Sequence, residues 1–304
     1  MELRHLRSFV AVAEELSFRR AAQRLHIAQP PLSQQIKRLE SEIGTLLLRR
    51  TSRHVELTDA GVVFLEHARR TLRDADLAVE SARRTARGEL GWLTVGFVDS
   101  AAYELLPPVL RAFRARAPGV RLELREIVTE AQLPALADEL DVGLVREVED
   151  LSGLRRILLL REPLLAALPI GHPLASRPRV QLAQLAAEPF ILFPRASVPR
   201  VYDHLVALCR SAGFSPRTAQ EAFQYPTMLG LVAAGFGIAL VPTCVRALRR
   251  AGIVYVPVTD AAATSELSLV TAADRDSAAL DTFRTITTAV AAKLPGSVAD
   301  GPRR

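Results

Sequence analysis

Apolar residues recur at threes and fours from the first turn of the chain. Leu3, Leu6, Phe9, Val10, Ala13 and Leu16 draw one stripe, which predicts a helix over about 2–16. Ser17 is an N-cap candidate. It opens a second helix, FRRAAQRLH, with Ala21, Ala22 and Leu25 facing inward. The small alanines let another helix approach closely, and Ile27 and Ala28 fill a tight turn. A third helix then buries Leu32, Ile36, Leu39 and Ile43. Two short helices with a brief turn, packed on a first, make a helix-turn-helix at about 18–37.

The polar positions of the third helix sharpen this. Ser33, Gln34, Lys37 and Arg38 face away from the stripe and supply hydrogen-bonding and cationic groups suited to base edges and phosphates. Pro30 and Pro31 stand at its entrance, where first-turn N–H groups have no partner carbonyl to lose. They fix the exit from the turn and leave Gln29, Ser33, Gln34 and Lys37 to make contacts; Arg19 on the second helix joins this candidate set. In LLLRRTSRHVELT, two short strands at 46–48 and 55–57 bracket an Arg-rich turn. That is a wing, with Arg50, Thr51 and Arg53 suited to phosphate or minor-groove contact.

Thr58 caps a long helix over 59–88, in which Phe64, Ala68, Leu72, Ala75, Val79, Ala82 and Ala86 approach a heptad seam. A second copy of the chain is the simplest partner for that seam. From Gly91 onward β-type runs alternate with helical ones, which predicts an α/β region with mostly parallel sheets.

Charge and composition add to this pattern. The net charge of +6 is concentrated at the front. Residues 1–58 carry ten Lys and Arg against six Asp and Glu, and the remaining 246 carry 29 against 27. The basic excess therefore sits on the helix-turn-helix, as an anionic partner such as DNA requires. Cys209 and Cys244 lie far apart without metal-ligand or CxxC spacing. The six histidines show no ligand spacing either, so neither a metal nor a cofactor is expected. The longest apolar run, LGLVAAGFGIALVP, is too short to span a bilayer, and the N-terminus has no secretory signal. A cytoplasmic protein with no membrane partner is expected.

LRSFVAVAEELSFRRAAQRLHIAQPPLSQQIKRLESEIGTLLLRRTSRHVELTDAG resembles the N-terminal region of LysR-type transcriptional regulators, down to an EIG element and an LT-x-AG junction at Leu57, Thr58, Ala60 and Gly61. WLTVGFVDSAAYELLPPVLRAFRARAPGVRLELREIVT, DVGLVR, GHPLA, PFILFP and LGLVAAGFGIALVP resemble landmarks of that family's effector domain, itself similar to periplasmic binding proteins. The resemblance implies an α/β protein overall. A winged helix-turn-helix (1–58) and a linker helix (59–88) lead into an effector domain (91–294) of two α/β subdomains joined by two crossover strands. Subdomain I covers 91–161 and 267–294, subdomain II covers 162–266, and 295–304 form a disordered tail. AQPPLSQQI, GFVDSAAYELLP and TEAQ resemble the branch that controls aromatic and chloroaromatic breakdown and responds to muconate-type dicarboxylates.

For the effector, the residues make a case of their own. Ser100 follows the strand LTVGFV, and Thr129 follows RLELREIV and opens TEAQ, a capping box with Gln132. Both sit where a strand ends and a helix begins, the place where open α/β sheets bind ligands and helix N-termini accept anions. The resemblance carries ligand contact onto Ser100 and Thr129, and onto the backbone of Arg200 and Val201 in SVPRV. Arg146 is the nearest landmark for an extra cation, or else half of a surface salt bridge. Two positions depart from the branch. Asp99 stands where an uncharged residue is usual, and an inward carboxylate there would weaken a dicarboxylate. Val201 stands where an aromatic is expected.

The resemblance implies a regulator that pairs through the linker helix, assembles as a homotetramer, and binds and bends promoter DNA. A small acid then closes the cleft, shifts the tetramer's shape and lets RNA polymerase be engaged, activating a catabolic operon. The alternatives are a regulator sensing redox through Cys209 and Cys244, a solute-binding protein, and an enzyme. Against the last, the chain lacks GxSxG, HExxH, the phosphate-cradling GxxxxGK[ST] and paired catalytic carboxylates.

Overall fold

The computed structural model describes residues 1–50, 55–149 and 152–298. The chain divides into two compact units, residues 1–84 and 85–304.

In the first unit, α1 (Leu3–Glu15), α2 (Phe18–Arg24) and α3 (Gln29–Ile43) are followed by the short strands β1 (Leu48–Arg50) and β2 (Val55–Leu57), then by α4 (Asp59–Ala86). Leu6, Phe9, Val12, Ala21, Ala22, Leu32, Ile36 and Leu39 form the core, so the stripes of α1 and α3 meet over the two alanines of α2. Ser17 caps α2 by accepting from the Arg20 N–H at 3.4 Å. Helix α3 begins at Gln29 with Ala28 as N-cap, so Pro30 and Pro31 occupy its second and third positions, one residue deeper than the sequence predicts. Both still lie in the turn whose N–H groups have no helical partner.

The wing's first strand starts at Leu48, two residues later than predicted, and pairs antiparallel with β2 through Leu48 and Leu57. The LT-x-AG junction has a steric cause. Thr58 Oγ1 accepts from the Gly61 N–H at 2.9 Å. A Cβ at Gly61 would lie 2.0 Å from the Leu47 carbonyl oxygen, so only glycine lets α4 start against this strand.

The seam of α4 has two fates. Ala68 is buried, and Phe64 and Leu72 pack on the core of the same unit, with Phe64 edge-on to Phe9 at 5.1 Å. The first half of the seam is thus intrachain packing, a correction to a wholly intermolecular seam. Val79, Ala82 and Ala86 are exposed.

In the second unit, β3 (Leu90–Phe97), β4 (Gly119–Glu126) and β5 (Val142–Arg146) alternate with α5 (Leu106–Arg116) and α6 (Thr129–Ala135). The long strand β6 (Leu154–Pro169) then leads to β7 (Pro189–Leu192), α7 (Pro199–Ser211), β8 (Arg217–Glu221), α8 (Tyr225–Ala233), β9 (Ala239–Pro242) and β10 (Ile253–Pro257). The chain returns through β11 (Thr264–Ala272) to α9 (Ala278–Ala291).

The strand order is β10-β6-β11-β5-β3-β4, with β9 also on β6. Strand β3 is parallel to β4 and β5. By contrast, β11 is antiparallel to both β5 and β6, and β9 and β10 are antiparallel to β6. The sheet is therefore mixed rather than mostly parallel. Strand β6 serves two lobes: residues 154–163 pair with β11 in lobe I, and residues 164–169 pair with β9 and β10 in lobe II. Lobe II is extended by β7, which exchanges hydrogen bonds with Ile238, and by β8 parallel to β7. The chain crosses between lobes at Pro163–Leu164 and again at Ala263–Thr264.

Each lobe has its own core. Phe113 of α5 meets Phe283 of α9 edge-on at 5.5 Å behind the lobe I sheet, while Phe190, Met228, Leu229, Leu240 and Val245 fill lobe II.

Candidate DNA-contacting surface and effector cleft

On the first unit, Gln29, Pro30, Pro31, Gln34, Lys37 and Arg38 are exposed along one side of α3, and Ser33 is half-buried. Arg19 on α2 is exposed as well. Arg19 and Lys37 make no ion pair among the described residues, which leaves their charges available to an anion. Arg38 is shared with Glu42 at 3.2 Å, an exposed pair whose cost to break is small.

Arg50 is placed otherwise than predicted. It pairs with Glu40 Oε2 at 2.6 Å and stacks over the Phe18 ring at 4.9 Å. Its guanidinium braces the wing against α2 and α3, so it is not a free contact. Glu40 is the residue that sequence reasoning missed. It is buried inside an apolar stripe, and its Oε1 accepts from the backbone N–H groups of Leu47 and Leu48 at 3.0 and 3.1 Å. A carboxylate at a core position of an amphipathic helix was the available signal. Thr51 and Arg53 lie outside the described residues.

In the second unit, the carboxyl ends of β3, β4, β5 and β7 and the starts of α6, α7 and α8 converge on a cleft of about 310 Å³. Its body is apolar, with Val98, Val128, Phe193, Val201, Phe223 and Tyr225 among the lining. Ser100, Thr129, Arg146 and Val201 of the predicted set line it too.

Ser100 lies in a 3-10 turn over Asp99–Ala102, and its hydroxyl accepts from Arg146 Nε at 2.8 Å. Thr129 is the first residue of α6, not its cap. Val128 holds the N-cap position and no side-chain cap forms, which corrects the capping box. Thr129 Oγ1 instead accepts from the Arg146 backbone N–H at 3.1 Å. Gln132 turns toward the sheet and donates to the carbonyls of Ile127 and Leu144 at 2.8 and 3.2 Å. That approach needs the facing glycines 96 and 143, where a Cβ would lie 2.9 and 2.8 Å from Gln132 Oε1.

Arg146 is neither a spare cation nor part of a surface salt bridge. It is 2% exposed and its Nη2 meets Glu162 Oε2 at 2.5 Å. Nη1 donates to Ser265 Oγ at 2.8 Å, and Nη2 also reaches Cys244 Sγ at 3.4 Å. Glu162 in turn accepts from the Cys244 N–H at 2.9 Å. Burial opposes the charge on each partner, and each offsets it for the other. Glu162 is held below the usual carboxylate range and Arg146 above its usual value. This pair stands beside the point where β6 and β11 cross between the lobes.

Two other carboxylates span the cleft. Asp99 Oδ1 accepts from the Ser100 N–H at 2.6 Å, and Oδ2 accepts from Tyr103 Oη at 2.9 Å. The same Oδ2 accepts from the Tyr225 N–H at 3.3 Å, at the N-terminus of α8 in the other lobe. Burial and the adjacent Asp99 push the Tyr103 phenol far up, which keeps it a neutral donor. Glu130, on α6, accepts through Oε1 from the Arg200 N–H at 3.3 Å, at the N-terminus of α7. Its Oε2 is buried with no partner among the described residues. Tyr225, Phe193 and Phe223 were not singled out from the sequence, although Tyr225 also follows a strand and opens a helix.

Cys209 and Cys244 are both buried. Burial pushes the Cys209 thiol up to about 11 and the Cys244 thiol well upward too. Neither has the thiolate character of a reactive cysteine. Among the described residues no cluster could hold a metal, and no helix is long and apolar enough to cross a membrane.

A helix-turn-helix with a basic outer face, followed along the chain by a two-lobed domain with a ligand-sized cleft, defines a ligand-responsive transcription regulator. Comparison with known proteins agrees. The profile of the bacterial regulatory helix-turn-helix protein, lysR family, matches residues 3–62, and that of the LysR substrate binding domain matches residues 86–292. The chain belongs to the LysR family of transcriptional regulators and is not an enzyme. It is 44% identical over 256 residues to the HTH-type transcriptional regulator AlsR of Bacillus subtilis (strain 168), covering 84% of this chain and 85% of that one. The crystal structure of full-length CbnR complexed with its target DNA superposes with a TM-score of 0.84 at 32% identity, covering 96% of this chain and all of the other. The effector binding domain of BenM with its effector benzoate superposes with a TM-score of 0.62 at 29% identity, covering 66% of this chain and 92% of that one.

Proposed function

We propose that this regulator binds promoter DNA through α3, with Gln29, Ser33, Gln34 and Lys37 as reading contacts and Arg19 and Arg38 on phosphates. Its effector is a small molecule with a ring-sized apolar body, seated between the lobes over Ser100, Thr129 and Val201. The observation that carries this reading is the cleft, an apolar cavity ringed by strand ends and helix starts from both lobes. Benzoate on the BenM domain supports an aromatic body. The acid expected from the sequence is not carried over, because Arg146 is already matched by Glu162 and protein carboxylates already sit on the helix starts.

The protein acts in the cytoplasm as a homodimer paired through the exposed part of α4, and as a tetramer of two such dimers. It activates a catabolic operon by engaging RNA polymerase once the effector changes the tetramer's hold on DNA. The buried thiols give the redox alternative no support. A nuclease footprint on the DNA upstream of its target gene tests the reading. Protection of an interrupted palindrome, with the boundary altered by a cleft ligand, is expected; no protected site overturns it.

A further inference from the structure

We infer that the cleft selects a ligand that carries a hydrogen-bond donor, an amine or a hydroxyl, on an apolar body and bears no carboxylate. The inference rests on the cleft being the effector site and concerns which chemistry fits there. A carboxylate entering a two-lobed α/β cleft needs free N–H groups at helix starts or an unmatched cation. Both are used up. The N–H of Tyr225 at the start of α8 is held by Asp99, which also takes the Ser100 N–H and the Tyr103 hydroxyl. The N–H of Arg200 at the start of α7 is held by Glu130. Arg146, the guanidinium in the lining, donates to Ser100, Ser265 and Cys244 and is neutralised by Glu162.

In effect the two acids bridge lobe I to lobe II as the two ends of a dicarboxylate would. What remains unmet is an acceptor. Glu130 Oε2, next in sequence to the lining residues Thr129 and Ala131, is buried without a partner. A buried acceptor left unpaired favours a ligand that brings an N–H or O–H. An incoming carboxylate would instead meet Asp99 and Glu130 as like charges with no cation to offset them.

Three probes of equal size and different head groups test this on the full chain by isothermal titration at neutral pH: benzylamine, benzyl alcohol and benzoate. Benzylamine and benzyl alcohol are expected to bind the wild type at least tenfold more tightly than benzoate. Benzylamine ahead of the alcohol marks the cationic donor, and equal binding marks the neutral one. Asp99→Ser is expected to raise benzoate affinity at least tenfold and to lower that of benzylamine. Asp99→Asn, which keeps the shape and removes the charge, should act in the same direction should the serine variant melt early. The assignment is overturned by benzoate binding the wild type as well as the other two, by neither donor probe binding, or by both substitutions leaving the order unchanged. Ala131→Trp, at an exposed position of the lining, separates the two readings. Binding that persists unchanged in this variant refutes the cleft as the site, whereas binding that it abolishes, with benzoate preferred, refutes the charge preference alone.

Discussion

At the residue scale, a buried charge is tolerated only with its partner. Removing one member of a buried pair costs about 3–5 kcal/mol, because the other is left charged in a low dielectric. Arg146→Met should therefore lower unfolding free energy by about that much, and Arg146→Met with Glu162→Met should recover most of it. Urea denaturation of the three proteins checks this non-additivity. The pair also sets a pH dependence. Glu162 has its carboxyl lowered from an ordinary 4.5, so its contribution to stability is fully present above that value. It is lost as pH falls below 4.5 through the folded-state value. Glu162→Gln should flatten that acid limb in thermal melts. None of this was visible in the sequence. Residues 146 and 162 meet because β11 inserts between β5 and β6, a pairing that no local pattern encodes. Ser100 and Thr129 were legible as strand-end hydroxyls, but their partner is Arg146. Asp99 was legible as a departure, whereas the direction of its side chain depends on where α8 begins in the other lobe.

At the element scale, the helices of the first unit were read almost to the residue, because an amphipathic stripe and a cap are both local signals. The prolines of α3 show how far that goes. They cost little in a first turn, and they are exposed. Pro30→Ala should change melting temperature little and operator affinity more; equal affinity in a mobility-shift titration would refute a role in shaping the reading end of the helix. The sheet was read less well. LLLREPLLAALP in β6 is apolar along much of its length, and a buried strand looks the same from its residues in parallel and antiparallel pairing. The capping box in TEAQ failed for a related reason. Gln132 had two competing uses, and the sheet carbonyls exposed by Gly96 and Gly143 won over the helix start.

At the scale of the whole molecule, α4 is the element with surface to spare. Its first half is committed to the DNA-binding core, while Val79, Ala82 and Ala86 face solvent. Val79→Glu should therefore weaken self-association without lowering the melting temperature, read as a smaller species in sedimentation velocity; an unchanged species would show that the seam is not the interface. The order of strands bears on how such a chain is made. Strand β11 lies between β5 and β6 but is the last strand to leave the ribosome, after the whole of lobe II has been synthesised. The middle of the lobe I sheet therefore stays open during synthesis, with β5 and β6 waiting for a neighbour more than a hundred residues away from the former. Lobe II, encoded without interruption, is free to fold first as a unit. A stalled chain ending before residue 264 should thus resist protease across lobe II while β3, β4 and β5 are still cut.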